Sequence, residues 1–263
     1  MKINFYKYQG TGNDFVIIDN RDKQLSKNNT KLIAHLCDRK FGIGADGCMF
    51  LEAPKVKNDN FTMVYFNSDG NESTMCGNGG RCLVAFAKHL GVIENKAKFT
   101  AIDGTHEATI NNGLVKLGMQ NVSKINSNST HWYLDTGSPH HVQLVDNLSA
   151  FDVFTQGRNI RRGAPYFEEG TNVNFVEQIS EDSFNVRTYE RGVEDETLSC
   201  GTGVTAVALA MHKAKKTDAD KVNINTPGGK LTISFSETEN GYENICLEGP
   251  AILVFKGVIE WSH

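Results

Sequence analysis

Two stretches of this 263-residue chain repeat one another. Phe61–Gly91 and Phe184–Lys215 each open on an alternating apolar segment and pass through an acidic, turn-rich loop. Both then reach Cys-Gly-x-Gly and run on into an apolar helical stretch. The cysteine follows the leading Phe by 15 residues in the first copy and by 16 in the second. The likeness extends upstream, where 12–19 and 138–146 each place a polar turn before a short strand ending in Asp. It extends downstream too, where 103–119 and 228–250 read as hairpins turning at Asn-Asn-Gly and Glu-Asn-Gly. Self-similarity on this scale means duplicated structural units. The expected organisation is an N-terminal half, 1–122, and a C-terminal half, 123–251. The polar stretch Lys124–Thr130 reads as a linker between them. A closing strand near 252–263 has no counterpart at the tail of the first half and is expected to return to the first half's sheet. Duplicated halves pack about a pseudo-two-fold axis, so equivalent positions are expected to face one another across a cleft. Cys76 and Cys200 are equivalent.

Composition narrows the function classes. With 39% hydrophobic and 22% charged residues the chain is an ordinary globular protein, long enough to bury a core without disulfide staples. Its 27 basic and 31 acidic residues leave a net charge of −4, without the basic surplus that backbone binding to nucleic acid demands. No apolar run approaches the ~20 residues of a membrane span, and the N-terminus carries no signal-peptide pattern, so a cytoplasmic protein is expected. Six cysteines (37, 48, 76, 82, 200 and 246) are scattered without a CxxC pair or zinc spacing, so reduced thiols and no metal are expected.

Cys76 and Cys200 each stand at or just before a predicted helix N-terminus, behind glycines placed where a tight loop would turn. A helix N-terminus offers N–H donors without intrahelical partners and a positive partial charge. It lowers a thiol's pKa and can hold a carboxylate. Two such termini aimed at one spot make a carboxylate cradle flanked by two thiols. A carbon acid beside that carboxylate could lose its α-proton to one thiolate and gain a proton from the opposing thiol. Inversion at carbon follows with no cofactor, and the N–H groups stabilise the enolate-like charge. A lone cysteine is ordinarily core filler, as the apolar setting of Cys82 suggests. Two equivalent cysteines before Gly-x-Gly and a helix argue for chemistry. A redox pair is the third reading of these thiols. Gly201-x-Gly203-x-x-Ala206 fits a dinucleotide fingerprint only loosely and does not follow its strand directly. Arg191 could grip a carboxylate by a bidentate contact, although taken alone it reads as a surface ion pair. Taken alone, His140 reads as structural, and Asn13, Asn67 and Asn172 as turn residues.

GTGNDFVIID (10–19), RKFGIGADG (39–47), MCGNGGRC (75–82), GSPHHV (137–142), TNVNF (171–175) and ERG with ETLSCGTG (190–203) together closely resemble the diaminopimelate epimerase family, nearly end to end. The resemblance implies an α+β fold of two pseudo-symmetric halves, each a curved mixed sheet around a central helix, with the active site in the cleft between them. It implies a cofactor-independent isomerase that interconverts LL- and meso-diaminopimelate in lysine and peptidoglycan precursor synthesis, working as a homodimer. It carries the catalytic pair onto Cys76 and Cys200 and the carboxylate cradle onto Gly77, Asn78, Gly201 and Thr202. Asn13, Asn67, Asn172 and Arg191 match substrate contacts, Arg191 at the distal carboxylate. Glu190 and His140 match residues that tune the thiols, Glu190 also touching substrate. Three departures stand out: Ser138 where many members have Asn, Gly47 where some have Gln, and one extra residue at Glu194–Glu196. The alternatives are a proline or hydroxyproline racemase-type isomerase, which tends to carry His where this chain has Asn78, and a non-catalytic amino-acid binder or redox sensor.

Overall fold

The computed structural model describes residues 1–262. Its contacts divide the chain into two compact units, one of Met1–Leu117 with the segment from Gly249 onward, the other of Gly118–Glu248.

The first unit opens with β1 (Lys2–Gly10) and β2 (Asn13–Asp19), an antiparallel hairpin turned at Thr11-Gly12. Both turn residues have positive φ, 51° and 86°, the mirror-image turn whose twist suits a hairpin. Helix α1 (Thr30–Cys37) follows, its first turn capped by the Asn29 side chain, which accepts from the Leu32 N–H. Strand β3 (Gly47–Glu52) lies parallel to β2 and is buried throughout. Strand β4 (Phe61–Asn67) is antiparallel to β3, and β5 (Glu72–Ser73) folds back on β4. Helix α2 (Gly77–His89) leads to β6 (Lys96–Ala101), parallel to β4. Strands β7 (Gly104–Asn111) and β8 (Leu114–Gly118) complete an antiparallel meander that turns at Asn112-Gly113. The sheet is covered on both faces, which is why β3 reads as a continuous apolar run. Leu32, Ile33 and Leu36 of α1 pack with Cys48, Phe50 and Phe66, while α2 lies against β1, β2, β3 and β7.

The second unit repeats these pairings step for step. Short strand β9 (Ile125–Ser127) pairs with β10 (Trp132–Asp135), which forms an antiparallel pair with β11 (Pro139–Leu144). Helix α3 (Val153–Arg162), capped by Asp152, crosses to β12 (Asn172–Gln178), parallel to β11. Strand β13 (Ser183–Glu190) is antiparallel to β12, and β14 (Asp195–Thr197) folds back on it. Helix α4 (Gly201–Lys213) leads to β15 (Lys221–Thr226), parallel to β13. The meander of β16 (Gly229–Thr238) and β17 (Gly241–Pro250) follows, turning at Glu239-Asn240. Strand β18 (Ile252–Glu260) then pairs with β1 of the first unit, from Lys2 opposite Glu260 to Gln9 opposite Ile252.

Two expectations need correcting here. The polar stretch 124–130 is not a bare linker, because Ile125–Ser127 is hydrogen-bonded to β10 as a strand. Edge strands with one wet side tolerate such polarity. That strand also supplies the missing counterpart: β9 stands beside β10 as β18 stands beside β1.

Helices α2 and α4 are the hearts of their units, with ten and eleven of their thirteen residues buried. Neither has a side-chain cap or an acidic first turn. Burial holds them instead. Val204, Val207 and Leu209 of α4 pack among Val176, Phe184, Val186, Ile224, Ile233 and Leu247. Each such side chain contributes roughly 1.5–3 kcal/mol when fully buried. Both helices end alike. The Gly91 and Val92 N–H groups donate to Lys88 and Ala87 carbonyls, as Lys215 and Lys216 donate to His212 and Met211. This double bond pattern needs a left-handed residue just past the helix. Gly91 fills it at φ 70°, whereas Lys215 is forced to φ 57°.

Candidate active site

Cys76 and Cys200 are the N-cap residues of α2 and α4, both in extended backbone (φ −93° and −118°). Their carbonyls accept the first helical bonds, from Gly80 N–H at 2.7 Å and Val204 N–H at 3.0 Å. The helix therefore starts at the residue after each cysteine. The glycines do not form a loop, as the spacing suggested, but lie inside the first helical turn. Close packing explains them. A Cβ on Gly203 would sit 2.4 Å from Asn174 Oδ1, and one on Gly80 3.0 Å from Leu117 Cδ2. Cys37, Cys48 and Cys82 are core groups: burial pushes Cys37 and Cys82 up to about 12 and Cys48 well above its usual range, while Cys246 is only partly buried. Cys76 is half-buried.

Around Cys76 a polar chain runs inward. Its Sγ–H donates to Asn13 Oδ1 at 3.6 Å, which also accepts from Asn78 Nδ2 at 3.4 Å. The other end of Asn13 donates to Asp46 Oδ2 at 2.6 Å. Asn78 is oriented by Arg81, whose Nη1 donates to Asn78 Oδ1 at 3.1 Å and whose Nη2 donates to Thr11 Oγ1 at 3.3 Å. Arg81 is fully buried. Burial lowers its pKa, yet a guanidinium starts so high that it stays protonated, and a Cys76 thiolate would favour its charge further. It thus places a permanent cation next to Cys76. The hairpin that carries Asn13 is pinned by ions. Asp14 pairs with Lys7 at 2.7 Å and with Arg39 at 2.8 Å, and Arg39 reaches Asp46 at 2.7 Å. Burial opposes ionisation of Asp14, but Arg39 and Lys7 outweigh it and hold the carboxyl down at about 2. Asn67 ends β4 with its side chain exposed, opposite Gly47. Gly47 has its own cause: a Cβ there would meet the Phe66 carbonyl and the Tyr65 ring at 2.7 Å.

Around Cys200 the chain is longer. Thr202 Oγ1 lies 3.4 Å from Cys200 Sγ and 3.1 Å from Ser138 Oγ. Ser138 Oγ lies 3.0 Å from His140 Nε2 and accepts from Asn172 Nδ2 at 3.2 Å. Asn172 also donates to the Pro139 carbonyl and accepts the Arg191 N–H at 2.9 Å. Both of its amide hydrogens are thus engaged within the unit, which makes it a brace for Ser138 and for the Arg191 backbone. The Arg191 guanidinium donates to the Glu169 carbonyl, and Glu190 accepts from Thr197 Oγ1. His140 is fully buried, and burial, helped by the charge of Arg191, lowers its pKa to about 3. Asn174, also fully buried, donates to His140 Nδ1 and to the His141 carbonyl, both at 3.0 Å, and accepts from Thr188.

The structure thus joins Cys76, Asn13 and Asn78 in one network, and Cys200, Thr202, His140, Asn172 and the Arg191 backbone in another. Asn67 and Glu190 join neither through the hydrogen bonds just described. Sequence reasoning gave no role to Arg81, Asp46, Thr11 or Asn174. Arg81 had a signal, a charge inside an apolar helical run. So had Asn174, which shares one strand face with Asn172 in an otherwise apolar segment.

Comparisons with known proteins point to one family. A family model described as diaminopimelate epimerase matches residues 5–125 and 132–254. A diaminopimelate epimerase from Flavobacterium psychrophilum is 57% identical over 255 residues, covering 97% of this chain and 99% of the relative. One from Chlorobaculum tepidum is 41% identical, covering 95% and 98%. Among solved structures, a phenazine biosynthesis protein of the PhzF family from Bacillus anthracis superposes with a TM-score of 0.79 at 13% identity, covering 99% of this chain and all of that one. A hydroxyproline epimerase from Agrobacterium vitis gives 0.70 at 12% identity, covering 98% and 92%. At such low identity these two report the fold alone, whereas the family match spans both repeats, and the chain belongs to the diaminopimelate epimerase family.

Proposed function

We propose that this protein is an isomerase that interconverts LL- and meso-diaminopimelate by proton transfer at one α-carbon, with Cys76 and Cys200 as the base and acid. The thiolate of one cysteine takes the α-proton. The electron pair left on carbon spreads into the α-carboxylate, and the other thiol delivers its proton to the opposite face. Each turnover leaves the protonation of the pair reversed, so the reverse reaction starts from the product state. The carboxylate is held by the first-turn N–H groups of Gly77, Asn78, Gly201 and Thr202, where the helix dipoles favour negative charge that grows in the transition state. Arg191 takes the distal carboxylate, Asn13, Asn67 and Glu190 orient the rest of the substrate, and Asn172, whose amide hydrogens are engaged, meets it through the second lone pair of Oδ1. His140 and Glu190 tune the thiols. The observation that carries this reading is the pair of N-cap cysteines, each heading a buried helix and each tied to a polar network, in a chain of this family.

The test is α-proton exchange in heavy water, followed by proton NMR, with reduced protein and either LL-diaminopimelate or L-proline. Loss of the α-proton signal with diaminopimelate, and not with proline, is expected. Loss with proline alone would move the chain to the racemase reading and leave Arg191 without a distal partner. No exchange with either would bring the binder reading forward.

We also propose a cytoplasmic homodimer. No helix among the described residues is long and apolar enough to cross a membrane, and the chemistry needs reduced thiols. Self-association is supported by β18, where Ile252, Val254, Phe255 and Val258 remain about half exposed. Light scattering on Val254→Lys should report a monomer if β18 is the contact.

A further inference from the structure

The acceptors around His140 fix the direction of the hydrogen bonds that end on Cys200. Two backbone carbonyls, which can only accept, set the sense. Asn174 donates to the His141 carbonyl, so its nitrogen end also faces His140, and His140 Nδ1 must be the acceptor there. A neutral imidazole then carries its proton on Nε2, which donates to Ser138 Oγ. Asn172 donates to the Pro139 carbonyl, so its nitrogen end also faces Ser138 and donates as well. Ser138 Oγ, accepting twice, has its own proton left for Thr202 Oγ1. Thr202, accepting from Ser138, turns its hydroxyl proton onto Cys200 Sγ.

We infer that Ser138 is a positioning residue that completes a one-way hydrogen-bond relay from His140 through Thr202 to Cys200, holding Cys200 as the thiolate. The relay rests on the reading of Cys200 as an acid–base thiol and deepens it. It gives Ser138, which stands where many family members carry Asn, a defined task. The buried imidazole stays neutral and keeps its tautomer, because burial holds its pKa near 3. Other ionisable groups on the surrounding elements include Tyr133 and Asp135 of β10, His141 of β11, Glu177 of β12, Arg187, Tyr189 and Glu190 of β13, and Arg191. His141 is turned to Tyr166 and Gln143, and Arg187 is paired with Glu196. At Cys76 the Asn13 side chain is of opposite character, an oxygen that accepts from the thiol. Cys76 is therefore an internal control.

The experiment measures iodoacetamide alkylation of each cysteine by peptide mass spectrometry from pH 6 to 10, on the substrate-free full chain. Alkylation follows the thiolate fraction, so Ser138→Ala should slow Cys200 by about fivefold at pH 7 and move its profile to higher pH. Cys76 should be unchanged. Ser138→Thr keeps the hydroxyl and should restore the Cys200 rate to within about twofold. The inference is overturned if Ser138→Ala leaves the Cys200 profile in place, if both cysteines slow together, or if Ser138→Thr behaves as Ala does. The alkylation rate needs no turnover, so this outcome is separate from whether diaminopimelate is the substrate.

Discussion

Gly203→Ala is a single methyl group with a calculable consequence. The added carbon would lie 2.4 Å from Asn174 Oδ1, a separation that real side chains do not show, so the amide must move. Asn174 is fully buried and spends its groups on His140, the His141 carbonyl and Thr188. Overpacking a tight site costs about 1–3 kcal/mol. Stranding buried hydrogen-bonding groups costs about 1–3 kcal/mol each. The better helix propensity of Ala returns about 1 kcal/mol. The net loss expected is about 3 kcal/mol. Equilibrium urea unfolding of the full chain carrying Trp261→Phe would follow the second unit through Trp132 fluorescence. In an Asn174→Ala background the collision is gone, so Gly203→Ala should cost less than about 1 kcal/mol there, a coupling of about 2 kcal/mol. A loss under about 0.5 kcal/mol in the native background, or equal losses in both, would refute the claim that this glycine exists to admit Asn174.

Other outcomes follow from the same structure. Cys76→Ala and Cys200→Ala should each lower the epimerisation rate by about 10³-fold or more, within the span of general acid–base catalysis, and circular dichroism should stay unchanged. Burial lowers the pKa of His140 to about 3 and of His141 to about 4 in the folded chain, both below the ordinary 6.5. Their neutral forms favour the fold above pH 6.5, so urea midpoints should fall as pH drops from 6.5 towards 3, and His141→Gln should flatten that slope. Lys215→Gly should raise stability by about 1 kcal/mol in urea unfolding, because it relieves a left-handed residue whose side chain is exposed.

Much of the architecture could be read along the chain because it is written there twice. The repeat placed both cysteines at helix starts, and the turns at Asn112-Gly113 and Glu239-Asn240 lie where Asn-Asn-Gly and Glu-Asn-Gly marked them. Features set by non-local packing were harder to read. Glycines after a cysteine look the same in a turn as in a crowded helical start, and only the approach of Asn174 or Leu117 tells them apart. Ile125–Ser127 looks like linker because a short edge strand needs few apolar side chains. The networks behind the thiols join residues as far apart as Thr11 and Arg81, or Ser138 and Thr202, and no local spacing encodes such meetings. Asn172 reads as a substrate contact, yet its amide hydrogens are held by Ser138 and Pro139.

The central claim is that two thiols, and not one, handle the α-proton. It is tested most directly by early-time isotope partitioning in heavy water with LL-diaminopimelate. With two thiols, the acid is already deuterated when substrate binds. Product should therefore carry deuterium at the inverted carbon while recovered substrate keeps its proton. Equal deuterium in substrate and product at low conversion would mean that one group works both faces, and the assignment of Cys76 and Cys200 as an acid–base pair would be wrong.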